Sequence, residues 1–459
     1  MQITLYQNLC TKIHQNILMM QEKVQTYILK YRLLESEKPV IVGMSGGADS
    51  VALLHILLSL GYKCIVAHCN FHLRSNESDR DELFVRNQVR ALNIDGYFID
   101  FETSEYAEKH KISIEMAARE LRYSWFYNLL EKLDAQAIAI AHHADDSIET
   151  MLMNLVRGTG LKGLTGISPR NNKVVRPMLC VSRLEIESYL IDNNLSFIED
   201  SSNSSLDYQR NRFRHQVLPL LEEINPSVRQ TLYHSLHHFE GNLAVYQQAL
   251  KQIENEIVVY ESDSIKIDIE LLNKQIHIPT ILFELLYPFG FGNSVVEQLI
   301  EQLNGSPGKL FYSDTHRLLK DRKYLIVQEI SSFPKDKFLI TENNTLLEQP
   351  FRLIISKTKK TVDFVLSKSL NKIQVDASKT KFPLLLRKWE TGDSFYPFGM
   401  NHRKKISDYF VDNKFNMFEK EQTWLLVSGG VIIWIVGKRL DNRFRITEDT
   451  TDILEFEIE

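Results

Sequence analysis

Along the first part of the chain, short runs of β-branched and apolar residues alternate with longer stretches that repeat with helical spacing. Residues 40–44, 64–68, 97–101, 137–141 and 174–175 are apolar on both faces of a two-residue period, the pattern of buried parallel strands. Residues 50–60, 79–92, 114–133 and 146–156 between them have the length and periodicity of helices. The repeating unit is therefore βαβ, which predicts a doubly wound α/β domain with a parallel sheet and ligands at the carboxyl ends of its strands. Ahead of it, Val24, Tyr27, Ile28, Tyr31 and Leu34 predict an amphipathic helix over 21–34, while residues 1–20 show no usable pattern.

Past the Ser/Asn-rich stretch 201–205 the pattern turns helical over 210–257, with Pro219 and Pro226 as expected breaks. From 335 onward the runs 351–355, 362–365 and 431–436 alternate between turn residues, which predicts a small α+β domain. Three domains are expected: 1–215, a helix-rich 216–334, and 335–459. A chain of 459 residues agrees with that number at ~150 residues per domain.

Composition narrows the class. With 44% apolar and 25% charged residues the chain is of the globular kind, not disordered or fibrous. It has no run of the ~18 apolar residues a membrane span needs. Its start, M-Q-I-T-L-Y-Q-N-L-C, lacks a basic segment before an apolar run, so a cytoplasmic location and no membrane partner are expected. Cys10, Cys64, Cys69 and Cys180 form no C-x-x-C pair and are expected to be reduced thiols without disulfide or zinc. The net charge of −5 is no sign of nucleic-acid binding, but Lys381 to Arg445 carries 12 Lys/Arg against 7 Asp/Glu and is the basic outlier.

The strand ending at 44 runs into S-G-G-A-D-S, residues Ser45, Gly46, Gly47, Ala48, Asp49 and Ser50. Two glycines let backbone N–H groups approach phosphate oxygens, and a helix starting near Ser50 adds its unpaired N–H groups and dipole. The Ser45 and Ser50 hydroxyls supply further donors. Asp49 favours a phosphate only with a cation between them. The alternative is a plain strand-to-helix turn. The loop is neither a Walker A motif nor a G-x-G-x-x-G turn.

A second strand end carries A-H-H-A-D-D-S-I-E-T, residues 141–150. Asp49 and Asp146, one from each loop, suit Mg²⁺ shared with nucleotide phosphates, and Asp146 is preferred to Asp145. His142 and His143 suit acid–base work. Asp145 or Asp146 capping the helix, with Glu149 behind, is the competing reading.

The loop resembles that of the N-type ATP pyrophosphatases, which cleave ATP between the α- and β-phosphates and pass adenylate to a substrate. Over most of the chain the motifs resemble, in order, those of the long-form tRNA(Ile)-lysidine synthetases. They include H-C-N-F-H-L-R (68–74), E-M-A-A-R-E-L-R-Y (115–123), R-G-T-G-L-K-G-L-T-G-I (157–167), R-P-M-L (176–179), E-D-S-S-N (199–203), R-N-R-F-R-H (210–215) and E-T-G-D-S-F-Y-P-F-G (390–399). The family pattern H-V-N-H-G-L-R is altered here to Phe71 and His72, so a histidine role at 71 is lost or moved to His72.

The resemblance implies ATP and Mg²⁺ as cofactors, free L-lysine and an isoleucine tRNA with a CAU anticodon as substrates, and a homodimer. It further implies that cytidine O2 attacks the α-phosphate, after which the lysine ε-amine attacks C2 and AMP departs. Arg122, ahead of Arg119, is then expected at the adenylate, with His142 as the base for the amine and Asp146 as its alternative. Arg387, Lys388, Arg403, Lys404 and Lys405 are expected on tRNA phosphates. Arg210, Arg212 and Arg214, around Phe213, form either a clamp for the anticodon loop or the basic start of a helix. Two other functions stay open: an adenylating tRNA thiolase, which needs a reactive cysteine, and an ATP-sensing module, which would release no pyrophosphate.

Overall fold

A computed structural model describes residues 2–73, 76–199, 209–330 and 337–459, with backbone alone for 2–16 and Asn76. The chain divides into two compact units, Met1–Gln248 and Ala249–Glu459. Arg74 and residues 200–205 of the serine-rich motif lie outside the described residues.

The first unit is the βαβ array. Its elements are α1 (Gln2–Tyr31), β1 (Val40–Gly43), α2 (Ala48–Ser59), β2 (Cys64–Asn70), α3 (Asn76–Leu92), β3 (Gly96–Asp100), α4 (Thr103–His110), α5 (Ile114–Lys132), β4 (Ala137–Ala139), α6 (Ala144–Arg157), α7 (Leu161–Leu164), β5 (Arg170–Asn171), β6 (Val174–Val175) and α8 (Arg183–Asp192). The sheet order is β3-β2-β1-β4-β6-β5. All neighbours are parallel except β5, which returns antiparallel on β6. Strand order reverses at β1, between β2 and β4. That is the point where a doubly wound sheet opens a crevice.

The strands are apolar because both faces are covered. Val40, Val42 and Val66 pack in one core with Val24 and Ile28 of α1 and Val51 and Leu54 of α2, while Ile41, Ala67 and Ile138 meet Phe126 and Leu130 of α5 on the other face. The expected helix over 21–34 is part of α1, which begins at Gln2.

The chain then forms α9 (Gln209–Arg212), one π-helical turn (Phe213–Val217), α10 (Leu218–Ile224) and α11 (Val228–Ile257). Of the two expected breaks, Pro226 interrupts helix. Pro219 does not: it lies just past the π-helical turn, inside a helical run that continues from Gln209 to Ile224.

In the second unit, strands β7 (Val258–Tyr260), β8 (Ile265–Asp268), β9 (Lys309–Tyr312), β10 (His316–Lys320) and β11 (Tyr324–Glu329) form an antiparallel sheet in the order β7-β8-β11-β10-β9. Helices Ile278–Leu286 and Asn293–Gln302 pack on it through Leu282, Leu286, Val296 and Leu299. Among the described residues the C-terminal part holds a two-stranded antiparallel pair, Ser394–Phe395 with Lys404–Lys405, and two larger antiparallel sheets. Their strand orders are Phe338–Ile340, Leu384–Lys388, Trp424–Ser428, Val431–Ile435, Arg439–Leu440 and Leu346–Leu347, Leu353–Lys359, Asp452–Ile458, Lys372–Asp376. The run 362–365 is not a strand: Val362 and Val365 are exposed and unpaired in a sheet, so alternation misled there. Among the described residues no helix is long and apolar enough to cross a membrane.

Candidate active site

The crevice at the ends of β1, β2 and β4 is a cavity of about 1070 Å³, lined among others by Ser45, Gly47, Asp49, Phe71, Arg122, His142 and Arg183. Two loops meet there. Helix α2 begins at Ala48, two residues earlier than expected, so Asp49 lies in its first turn. Gly46 has φ +91°, a conformation a side chain would strain, and its carbonyl accepts from the Ile198 N–H at 3.0 Å. No side chain caps α2, which leaves its leading N–H groups as donors. The Ser50 hydroxyl instead donates to the Gly47 carbonyl at 2.9 Å, and the Ser45 hydroxyl accepts from the Gly47 N–H at 3.3 Å. The serines shape the loop from within, and phosphate donation falls first to the backbone.

On the other loop, His143 is the residue before α6, and Asp146 accepts its N–H at 2.9 Å. Asp146 therefore takes part in capping the helix, though as its third residue and not, as the competing reading had it, as the cap with Glu149 behind. Its other oxygen faces Arg210 and Arg214, at 3.2 and 3.4 Å. His143 Nε2 lies 3.6 Å from Asp146 and 3.9 Å from Asp49, so the two carboxylates flank one buried nitrogen. Burial opposes charge on His143, yet Asp145, Asp146 and Asp49 together raise its pKa above the ordinary value. Burial raises Asp49 as well, against the pull of His143 and Arg183. Burial would also raise Asp146, but His143 and Arg210 outweigh it and hold it low.

Asp145 points elsewhere. It accepts the Arg183 N–H at 2.8 Å and an Arg229 guanidinium N–H at 2.7 Å, a structural role that bears on the preference for Asp146.

His142 lines the cavity, but its Nδ1 accepts from Arg176 Nε at 3.1 Å. Burial pushes it down to about 4, helped by Arg176 and Arg210 and opposed by Asp146. The ring is neutral at pH 7 with its proton on Nε2, so it offers the site a donor. The base role expected for His142 does not fit, because the ring's lone pair is already used and its conjugate acid is too strong. Asp146, held low among cations, is a poor base for the same second reason.

Arg122 is on the cavity wall with its guanidinium 5.0 Å from the Phe71 ring, which stacks on Phe101 at 5.7 Å. Arg119 lies over Tyr123 instead. His72 did not inherit a role at this wall: it adopts φ +50° and its Nε2 binds Asp100 at 2.9 Å.

The expected tRNA contacts divide. Arg210 and Arg214 grip the fully buried Glu149 at 2.8 and 2.7 Å and reach Asp146 at 3.2 and 3.4 Å, so they are committed within the protein, while Arg212 is exposed. Arg387 is held bidentately by Asp393 at 2.8 and 2.7 Å and is 12% exposed, which removes it from phosphate contact. Lys388 lies 4.4 Å from the Trp424 ring centre, and burial pushes it down to about 8. Arg403 and Lys405 are exposed, and Lys404 pairs with Asp412.

Arg183 escaped the sequence reading. Its guanidinium donates to Asp49 at 2.6 Å and, through Nε, to Glu187 at 2.8 Å. The clue was the capping box formed by Ser182 and Glu185, which places Arg183 at a helix start.

Three family models match the chain: a PP-loop domain over residues 16–221, a TilS substrate binding domain over 260–330 and a TilS substrate C-terminal domain over 384–456. The chain is 49% identical to the tRNA(Ile)-lysidine synthase of Parabacteroides distasonis over 431 residues, 94% of this chain and 98% of that protein. It is 43% identical to that of Bacteroides thetaiotaomicron over 440 residues, 96% of this chain and 100% of that protein. With that of Caldanaerobacter subterraneus it shares 29% over 459 residues, 95% of this chain and 97% of that protein.

Proposed function

The chain belongs to the tRNA(Ile)-lysidine synthase family, and from that premise we propose how its residues divide the work. It is an ATP-dependent ligase acting on tRNA(Ile), with the wobble cytidine of the CAU anticodon as acceptor and free L-lysine as the amine donor. Residues 1–215 carry out adenylation, 216–334 form a middle substrate domain, and 335–459 bind tRNA. The enzyme acts in the cytoplasm, and a homodimer is the assembly the family resemblance implies. The observation that carries the site assignment is that Asp49, on the cavity wall, and Asp146, from a different strand end, lie 3.9 and 3.6 Å from one buried nitrogen, His143 Nε2, next to the wall residue His142.

Their oxygens, with Asp49 raised by burial, fit a hard divalent cation. Asp49 and Asp146 would hold Mg²⁺, which when bound neutralises the triphosphate. The N–H groups of Ala48 and Asp49 at the start of α2 orient the phosphates. Arg122 stabilises charge at the adenylate, and His142 donates from Nε2. Arg212, Arg403 and Lys405 meet tRNA phosphates. A lysine amine of pKa ~10.4 is neutral in only about one molecule in 2,500 at pH 7, so the cavity must favour its neutral form by desolvation.

Sulfur transfer is disfavoured by the cysteines. Cys69 is on the cavity wall, but burial pushes its thiol up to about 12, as it does for Cys64 and Cys180.

The deciding experiment incubates the protein with ATP, labelled lysine and unmodified tRNA(Ile) bearing CAU. Label should enter that tRNA with release of AMP and pyrophosphate. A protein that releases no pyrophosphate with any tRNA would be an ATP sensor.

Because burial pushes His142 down to about 4, His142→Gln should lower single-turnover lysine transfer about 10- to 100-fold without changing the shape of its profile between pH 6 and 9. Loss of an inflection in that range would restore the base role.

A further inference from the structure

We propose that Arg183 is a transferable guanidinium, which neutralises Asp49 while no nucleotide is present and passes to the β- and γ-phosphates when a cation takes the carboxylate. The inference rests on the site reading above and extends it to a residue with no role in that reading.

Three observations carry it. Arg183 is both a wall residue of the cavity and a direct partner of the proposed cation ligand, through one terminal nitrogen at 2.6 Å from Asp49. Its side chain is 38% exposed, so the guanidinium has room to turn. Its Nε is held separately, at 2.8 Å, by Glu187 one turn along α8. That grip acts as a pivot: Nε stays with Glu187 while the terminal nitrogens exchange one anionic partner for another. The backbone is fixed, since the Arg183 N–H is bound to buried Asp145 and Ser182 caps α8.

Electrostatics sets the direction of exchange. Asp49 is half-buried, and among the described residues the cations nearest to balancing it are Arg183 and His143, with Arg214 acting on it from farther off. A divalent ion arriving with a triphosphate offers Asp49 a stronger partner than a guanidinium. It also delivers several anionic oxygens to the loop beside it. A planar guanidinium matches phosphate oxygens bidentately. During adenylation the cytidine oxygen bonds to the α-phosphorus, and the electron pair of the broken bond leaves on the bridging oxygen of pyrophosphate. Arg183 is placed to hold that departing charge, a task that grows toward the transition state.

The test uses the full chain and two variants, Arg183→Ala and Arg183→Lys, with Mn²⁺ as the cation probe and α,β-methylene-ATP as the uncleavable nucleotide. Free Mn²⁺ is read by electron paramagnetic resonance and nucleotide binding by calorimetry. With its competitor gone, Arg183→Ala should bind Mn²⁺ alone about tenfold more tightly, yet bind the Mn²⁺-loaded analogue about tenfold more weakly. Single-turnover adenylation should fall about 100-fold. Arg183→Lys should recover part of the analogue affinity, since it keeps the charge without the fork.

Unchanged or weaker Mn²⁺ binding in Arg183→Ala overturns the neutralising half. Tighter Mn²⁺ binding with unaltered analogue affinity and adenylation overturns the transfer. Asp49→Asn separates these failures from failure of the site reading: if that variant keeps wild-type Mn²⁺ binding and activity, the cation site itself is misplaced, whatever Arg183 does.

Discussion

Asp49→Asn is expected to lower single-turnover adenylation of tRNA(Ile) by about 10²- to 10³-fold. The substitution keeps the size of the side chain and one acceptor for Arg183, so the loop should keep its shape. What it removes is the negative charge that a cation would share with the phosphates. The stability cost should stay below about 1 kcal/mol, because the Arg183 partner is partly exposed and retains Glu187. Pyrophosphate release in rapid quench, beside a thermal melt of the same preparation, checks both parts. A rate within tenfold of wild type with an unchanged melt would remove Asp49 from the cation site.

Glu149→Gln should cause the largest loss of stability. The Glu149 carboxylate is fully buried and accepts from two arginines, Arg210 and Arg214. An amide there is neutral and turns a donor toward one of those guanidiniums. Breaking a buried pair from one side costs about 3–5 kcal/mol, and the partial exposure of both arginines points to about 3. For a unit of this size that corresponds to a fall in melting temperature of roughly 6–12 °C. Replacing all three together, as Glu149→Leu, Arg210→Leu and Arg214→Met, should recover much of it. A Glu149→Gln melt within about 2 °C of wild type would show that the pair is not closed in solution.

Much of this molecule was legible in its sequence, for reasons that differ by element. Strands β1, β2 and β4 announced themselves because burial on both faces leaves no polar alternation to confuse the period. The loop at Ser45 to Ser50 was legible because its chemistry is local, with glycines and a helix start adjacent in sequence. The role of Arg183 depends on a partner 134 positions away, and spacing along the chain cannot show which acid an arginine will meet. His142 failed as a base for the same reason, since Arg176 fixes its tautomer from another segment. Arg387 counted as part of a basic patch until Asp393 neutralised it across a tight turn. Net charge along a segment says how many cations exist, not how many are spoken for.

The π-helical turn at Phe213–Val217 has a consequence for how this stretch can drift. It sets the rotation between Arg210 and Arg214, which hold Glu149, and the fully buried Leu218, which packs with Ile148, Met151 and Leu236. Deleting one residue would restore a regular α-helix and turn everything beyond it by about 100°. The arginines and Leu218 could no longer both reach α6. Side chains on the outer face can change without moving these contacts, whereas a change in the number of residues between Arg210 and Leu218 would break them: the stretch works as a spacer of fixed length.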